Sequence, residues 1–207
     1  PSLRDISPDR VFSSSETANE AIVSEIRDRH ATTQPILVGT RTIRTSEAIA
    51  KRLEEEGIDH RLLTAKEDEE ENEIIAGAGL PGSVLIATNM AGRGTHIGLT
   101  DESLQAGGLH VIGVERNESI RVDRQLIGRA ARQGQPGSAQ FFISAEDTMA
   151  EPFADAWRKH DGELPNSKAA AEKILRAQAK IEKLAYRMRR DSAKRDKWID
   201  ETRNVLA

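Results

Sequence analysis

Val84-Leu85-Ile86-Ala87-Thr88-Asn89-Met90-Ala91-Gly92-Arg93-Gly94-Thr95-His96-Ile97 is the stretch on which the fold turns. Val84–Ala87 is a short apolar run, the signature of a strand buried on both faces. The loop after it, Ala87–Ile97, sets Arg93 between Gly92 and Gly94. Glycine permits close backbone approach to a ligand, and arginine offers an always-charged planar fork. A phosphate-facing loop uses both. Standing alone, a Gly-Arg-Gly would read as a tight turn with a solvated arginine, so its surroundings decide.

Those surroundings alternate. Pro35–Gly39, His60–Leu63, Leu109–Ile112 and Gln140–Ile143 read as further strands. Between them lie helical patterns over Ser46–Glu56 (stopped by Gly57), Glu67–Ala76 (acidic in its first turn) and Ser119–Ala131, with Asn19–Arg29 ahead of them all. Strands alternating with helices imply βαβ units and a parallel sheet. Such sheets place their sites in loops beyond the carboxyl ends of the strands. A second unusual segment, Gln125–Gly134, lies about 35 residues after the first and holds Arg129 and Arg132 three apart. If the helix persists they share a face, and Gly134 is a natural stop. Two arginines at a helix end suit the charge on a transferring γ-phosphoryl group, although a basic helix C-terminus is also favoured by the dipole alone.

Composition sets the bounds. The chain has 207 residues, 37 % hydrophobic, 31 % charged and 3 % aromatic. That suits one ordinary domain plus an appendage. No cysteine is present, which excludes disulfides, thiolate metal sites and thiol catalysis. No apolar run approaches a membrane span, and no secretory h-region opens the sequence. With Pro1 in first place, the expectation is a piece of a longer protein. From residue 166 to the end there is neither Gly nor Pro, and Ile174, Ala177, Ile181, Leu184 and Met188 follow three- and four-residue steps. This predicts one helix of about 40 residues, roughly 60 Å long, whose apolar seam needs a partner beyond the chain. Residues 168–203 carry 12 basic and 6 acidic side chains, a balance of +6 against −10 for the rest. His30, His60, His110 and His160 lack metal-ligand spacing, so no metal site is expected on this chain, and His110 is expected to be a satisfied buried residue. Trp157 and Trp198 are expected to pack.

The two loops together carry a resemblance. Ile86-Ala-Thr-Asn-Met-Ala-Gly-Arg-Gly-Thr95 and Gln125-x-x-Gly-Arg-x-x-Arg-Gln-Gly134 resemble motifs V and VI of superfamily 2 helicase-type ATPases, and specifically the SecA family of preprotein-translocation motors. Pro35–Thr40, Gly107-Gly-Leu-His-Val-Ile-Gly113, Glu115-Arg-x-Glu-Ser119 and Gly137–Ser138 support it, and Ala177–Gln178 resembles the start of that family's long scaffold helix. The family's Tyr-Asp-Asp-type segment is replaced around Arg190–Asp191–Ser192.

The resemblance implies an α/β fold of RecA-like type, the P-loop NTPase and helicase C-terminal variety, with a parallel sheet flanked by helices and a long C-terminal helix. It implies a second nucleotide-binding domain over 1–150 and a connecting plus scaffold-type helix over 151–207. ATP and Mg²⁺ would be held mainly by a first domain outside this chain, since no Gly-Lys-Ser/Thr occurs here and Asp68–Glu71 reads as an acidic helix start. Arg93, Arg129 and Arg132 would be the catalytic arginines. Gly92, Gly94, Thr95, His96 and Gln125 would contact nucleotide. His96 stands where the family has an aspartate that accepts bonds from the nucleotide sugar, and a neutral imidazole has one acceptor and no negative charge. Implied partners are the first nucleotide-binding domain, unfolded preprotein and a SecYEG-type channel, with anionic lipid open to the basic tail. The implied address is the bacterial cytoplasm, peripheral at the inner membrane. Two alternatives stay open. One is a nucleic-acid helicase half, which the −10 balance outside the tail disfavours. The other is a non-hydrolysing relative with a structural role, motivated by His96.

Overall fold

The computed structural model describes residues 4–63, 71–88 and 96–206. Seven strands form one sheet: β1 (Arg4–Ile6), β2 (Arg10–Phe12), β3 (Ile36–Thr40), β4 (Arg61–Leu63), β5 (Val84–Thr88), β6 (Leu109–Val114) and β7 (Gly137–Ser144). The order is β1-β7-β6-β3-β5-β4, and β2 continues the β1 edge farther along β7. Every strand-to-strand pairing among the described residues is parallel, as the alternating pattern requires, and a single isolated antiparallel bridge joins Phe12 to Glu163.

Side-chain alternation along the strands builds three layers. Ile36 and Val38 of β3, Val84 and Ile86 of β5, and Ile112 and Val114 of β6 point to one face. There they meet Ile22, Val23 and Ile26 of α1 (Ser15–His30) and Ile49, Ala50 and Leu53 of α2 (Ile43–Glu55). Leu37, Leu85 and Val111 point to the other face, toward Ile75 of α3 (Glu71–Gly77) and Leu126 and Ile127 of α5 (Ile120–Ile127). The short α4 (Asp101–Gln105) leads into β6. Gly39 makes the seat for α5, because a Cβ there would lie 2.5 Å from Leu126 Cδ1.

A third apolar cluster lies beside β2 and β7. Val11 and Ile143 meet Met149 of a 3-10 segment (Thr148–Phe153), Trp157 of α6 (Ala154–Trp157), and Ala170, Ala171 and Ile174 of α7. Helix α7 runs Ser167–Leu206 in 40 residues, as expected. Among its described side chains, those near its beginning are the covered ones. Leu184, Tyr186 and Met188 are exposed, so the seam does outrun its partner. Trp157 packs as expected, 4 % exposed and stacked on Phe153. The Trp198 side chain and the expected helix start at Glu67–Glu70 lie outside the described residues.

Three expectations need correction. The helix read over Ser119–Ala131 ends at Ile127, with Gly128 as its cap. Propensity alone would continue it, since Arg-Ala-Ala-Arg is a good helical sequence. Tertiary packing overrides it: Ala130 is fully buried and Ala131 turns left-handed at φ 54, ψ 48 to feed β7. The stop assigned to Gly134 therefore falls six residues too late. His110 is fully buried but only half satisfied. Its Nδ1 lies 2.7 Å from Ser138 Oγ, while Nε2 has no hydrogen-bond partner among the described residues. The nearby acceptor, Glu25 Oε1, stands off at 3.7 Å because it takes the Arg29 Nε proton at 2.6 Å. Finally, β1, β2 and α4 are too short to show a period, and the sequence reading lacks them.

Candidate functional site

Helix α5 is fixed at its start by a buried charge network. Asp123, 4 % exposed, accepts from Arg116 Nη1 at 3.2 Å, from the Asn117 amide at 3.0 Å and from Gln178 Nε2 at 2.8 Å. Arg116 also forks onto Asp9 at 2.6 and 3.0 Å and lies 3.7 Å over the Phe141 ring. A carboxylate with three donors and an arginine with two carboxylates satisfy each other, which makes burial of these charges tolerable. Gln178 belongs to α7, so the long helix and α5 are joined at this point.

Along α5 and the loop that follows it runs a cleft of about 890 Å³. Arg121, Gln125, Gly128, Arg129 and Arg132 line one side, and Glu182 and Arg189 of α7 line the other. Four arginines against one glutamate make a concave surface that attracts polyanions. Arg129 and Arg132 therefore do converge, though the chain brings them together by a left-handed turn and not by a continued helix. Arg132 is held by its own loop, where Nε donates to the Gly128 carbonyl at 3.1 Å. Both arginines are half-buried, whereas Arg121 and Gln125 are exposed.

Ile97 is buried in the apolar cluster that also holds Ala130, Leu126 and Ile127. Gly79 fixes the approach of this segment, since a Cβ there would sit 1.8 Å from the Gly98 carbonyl oxygen. His96 precedes Ile97, is exposed and does not line the cleft. Gly92, Arg93, Gly94 and Thr95 lie outside the described residues. The sequence reading missed Arg121, Glu182 and Arg189. Arg121 was recoverable, because 121, 125 and 129 follow a four-residue step. The α7 residues were not, because nothing in the sequence says where a long helix crosses.

A parallel sheet covered by helices on both faces gives the domain a RecA-like fold. Solved structures of similar shape agree. The E. coli DEAD-box protein SrmB bound to RraA aligns over 75 % of this chain and 85 % of its own, with TM-score 0.55 and 23 % identity. Domain 2 of the Mss116p DEAD-box helicase, bound to an RNA duplex, aligns over 84 % and 69 %, with TM-score 0.55 and 14 % identity. At such identities the likeness shows the fold alone. The model of the SecA P-loop domain matches residues 1–106 and 100–160. The chain belongs to the SecA family. The protein translocase subunit SecA of Salinibacter ruber is 41 % identical over the whole chain, and SecA 2 of Geobacillus thermodenitrificans 42 %. The chain spans 19 % and 27 % of the lengths of these two relatives.

Proposed function

We propose that this chain is the second RecA-like half of a SecA-type preprotein translocase motor, with residues 1–150 as the motor unit and 151–207 as a helical extension. The observation that carries this is the cleft along α5 and the loop after it, which Gln125, Gly128, Arg129 and Arg132 line together. A triphosphate fits that donor set, because bidentate guanidinium groups match phosphate oxygens. Mg²⁺ would be held mainly by the first domain, because this sequence has no Gly-Lys-Ser/Thr loop to offer it a hydroxyl. ATP supplies the transferable phosphoryl group. Arg129 and Arg132 offset the charge developing on it when the two halves close, Arg93 senses its presence, and Gln125 orients the arginines. Closure would drive unfolded preprotein through a SecYEG-type channel at the inner membrane. Among the described residues no helix is long and apolar enough to cross a membrane.

The test is Arg132→Ala in the complete translocase. Turnover at saturating ATP should fall by about 10³- to 10⁵-fold, the range for arginine fingers, with a far smaller change in ATP affinity. Turnover near wild type would remove the ATP-facing assignment of this loop.

A further inference from the structure

When α5 ends at Ile127, the amides of Gly128, Arg129 and Ala130 still cover the carbonyls of Arg124, Leu126 and Ile127, at 2.9, 2.9 and 3.2 Å, and the helical bonding stops there. The following loop is an expensive one to hold. Ala131, Gln133 and Gly134 all have positive φ, at 54, 54 and 78, and two of the three carry side chains. Buried Ala130 sits immediately before the first left-handed residue, so its peptide group sets the direction in which the chain leaves the helix. Its carbonyl oxygen accepts two bonds from one guanidinium: Arg4 Nη2 at 2.8 Å and Arg4 Nε at 3.0 Å. The donor comes from 126 residues away in sequence.

Strand β1 is what delivers it. This edge strand has three residues, and Asp5 and Ile6 are exposed, so it adds little to the core. It is held by its ladder to β7, Arg4↔Gly137 through Ile6↔Ala139, and by the Ser7 amide donating to the Ala139 carbonyl at 3.0 Å. The same strand β7 receives the loop at Gly137. Fork and ladder together tie this strand to the segment that carries Arg129 and Arg132 at two points: between the two arginines, at Ala130, and where the segment enters β7, at Gly137.

We propose that Arg4 is a positioning residue for the ATP-facing arginines: by clamping the Ala130 carbonyl it fixes the left-handed turn that presents Arg129 and Arg132 to the phosphate. A planar two-pronged donor suits this task, because it fixes the orientation of the carbonyl as well as its distance. Lysine would keep the charge without the fork. The inference rests on the proposed phosphate-facing role of the cleft.

The experiment compares Arg4→Gln, Arg4→Lys and Arg132→Ala in the complete translocase, with amide exchange of the same proteins as the check on folding. Arg4→Gln should lower turnover at saturating ATP by about tenfold or more with KM moved less than about twofold, since a misaimed arginine weakens the transition state more than ground-state binding. Arg4→Lys should fall between it and wild type. Amides of residues 128–135 should exchange faster in Arg4→Gln, with β3 and β6 unchanged. A slow Arg132→Ala beside a wild-type Arg4→Gln would overturn the role of Arg4 while leaving the cleft's function standing. An unimpaired Arg132→Ala would overturn both. Equal loss of protection across the whole sheet in Arg4→Gln, with KM and turnover falling together and no rescue by lysine, would make Arg4 a stability residue and overturn its positioning role.

Discussion

His110 shows how a single residue's surroundings set a solution property. Burial, and then the positive charge of Arg29, push its pKa down to about 3. In the unfolded chain it titrates near 6.5. Between those values the unfolded state binds a proton that the folded state refuses, so stability falls as pH drops from about 6.5 toward 3, by up to about 1.4 kcal/mol per pH unit. His110→Gln keeps a partner for Ser138 and removes the titration. Between pH 7 and pH 5 the wild-type chain should lose about 2 kcal/mol more than the variant, read from urea unfolding. Asp147 runs the other way. Burial raises it to about 7, so its contribution is complete at low pH and lost as pH rises through 7. It is present in both proteins and drops out of the comparison. Equal pH slopes would mean that His110 is protonated in the fold. At this scale the spacing of Arg129 and Arg132 singled them out, the family resemblance added Gln125, and all three line one cleft. It was silent on Arg4, because a lone arginine in a three-residue edge strand has no pattern to announce it.

At the scale of elements, the long interior strands and the helices α1, α2 and α7 were legible because each has a period or an unbroken apolar run. The end of α5 was not, because local propensity favours helix through Arg132 and the break is imposed by the burial of Ala130. The joint between α5 and α7 is likewise tertiary. Gln178, 1 % exposed, donates from Nε2 to Asp123 Oδ2 at 2.8 Å and to the Asn117 carbonyl at 2.6 Å. Gln178→Leu fills similar volume but strips a donor from one buried and one part-buried acceptor, a loss of about 1–3 kcal/mol. The loss falls on the α7 contact and not on the central sheet, where β3 lies between β5 and β6. Amides around residues 173–183 should therefore exchange about tenfold faster or more in the variant, with β3 and β6 keeping their protection. Unchanged exchange along α7 would mean that the cluster around Ile174 and Trp157 holds the helix without this polar joint.

For the molecule as a whole, charge and chemistry are divided. A sheet unit of net negative charge carries an arginine-lined cleft, and a basic helix extends from it. An acidic body confines positive potential to the cleft, which favours a small polyanion there over a long nucleic acid tracking the surface. In the proposed motor the cleft would supply charge to a phosphoryl group but nothing that would hold one for attack. The sequence contains no Gly-Lys-Ser/Thr loop, so neither the lysine nor the hydroxyl that a P-loop offers to phosphate and Mg²⁺ is available. The 207-residue chain alone should therefore show no magnesium-dependent ATP turnover above buffer, measured as phosphate release with protein in the micromolar range. Adding the P-loop half of a close relative as a separate polypeptide should restore turnover, and Arg132→Ala in this chain should abolish the restored rate. Turnover by the chain alone that disappears in Arg132→Ala would place a complete catalytic site within these residues and refute the two-half reading. Restored turnover that is indifferent to Arg132→Ala would show that the partner half hydrolyses ATP without help from this cleft.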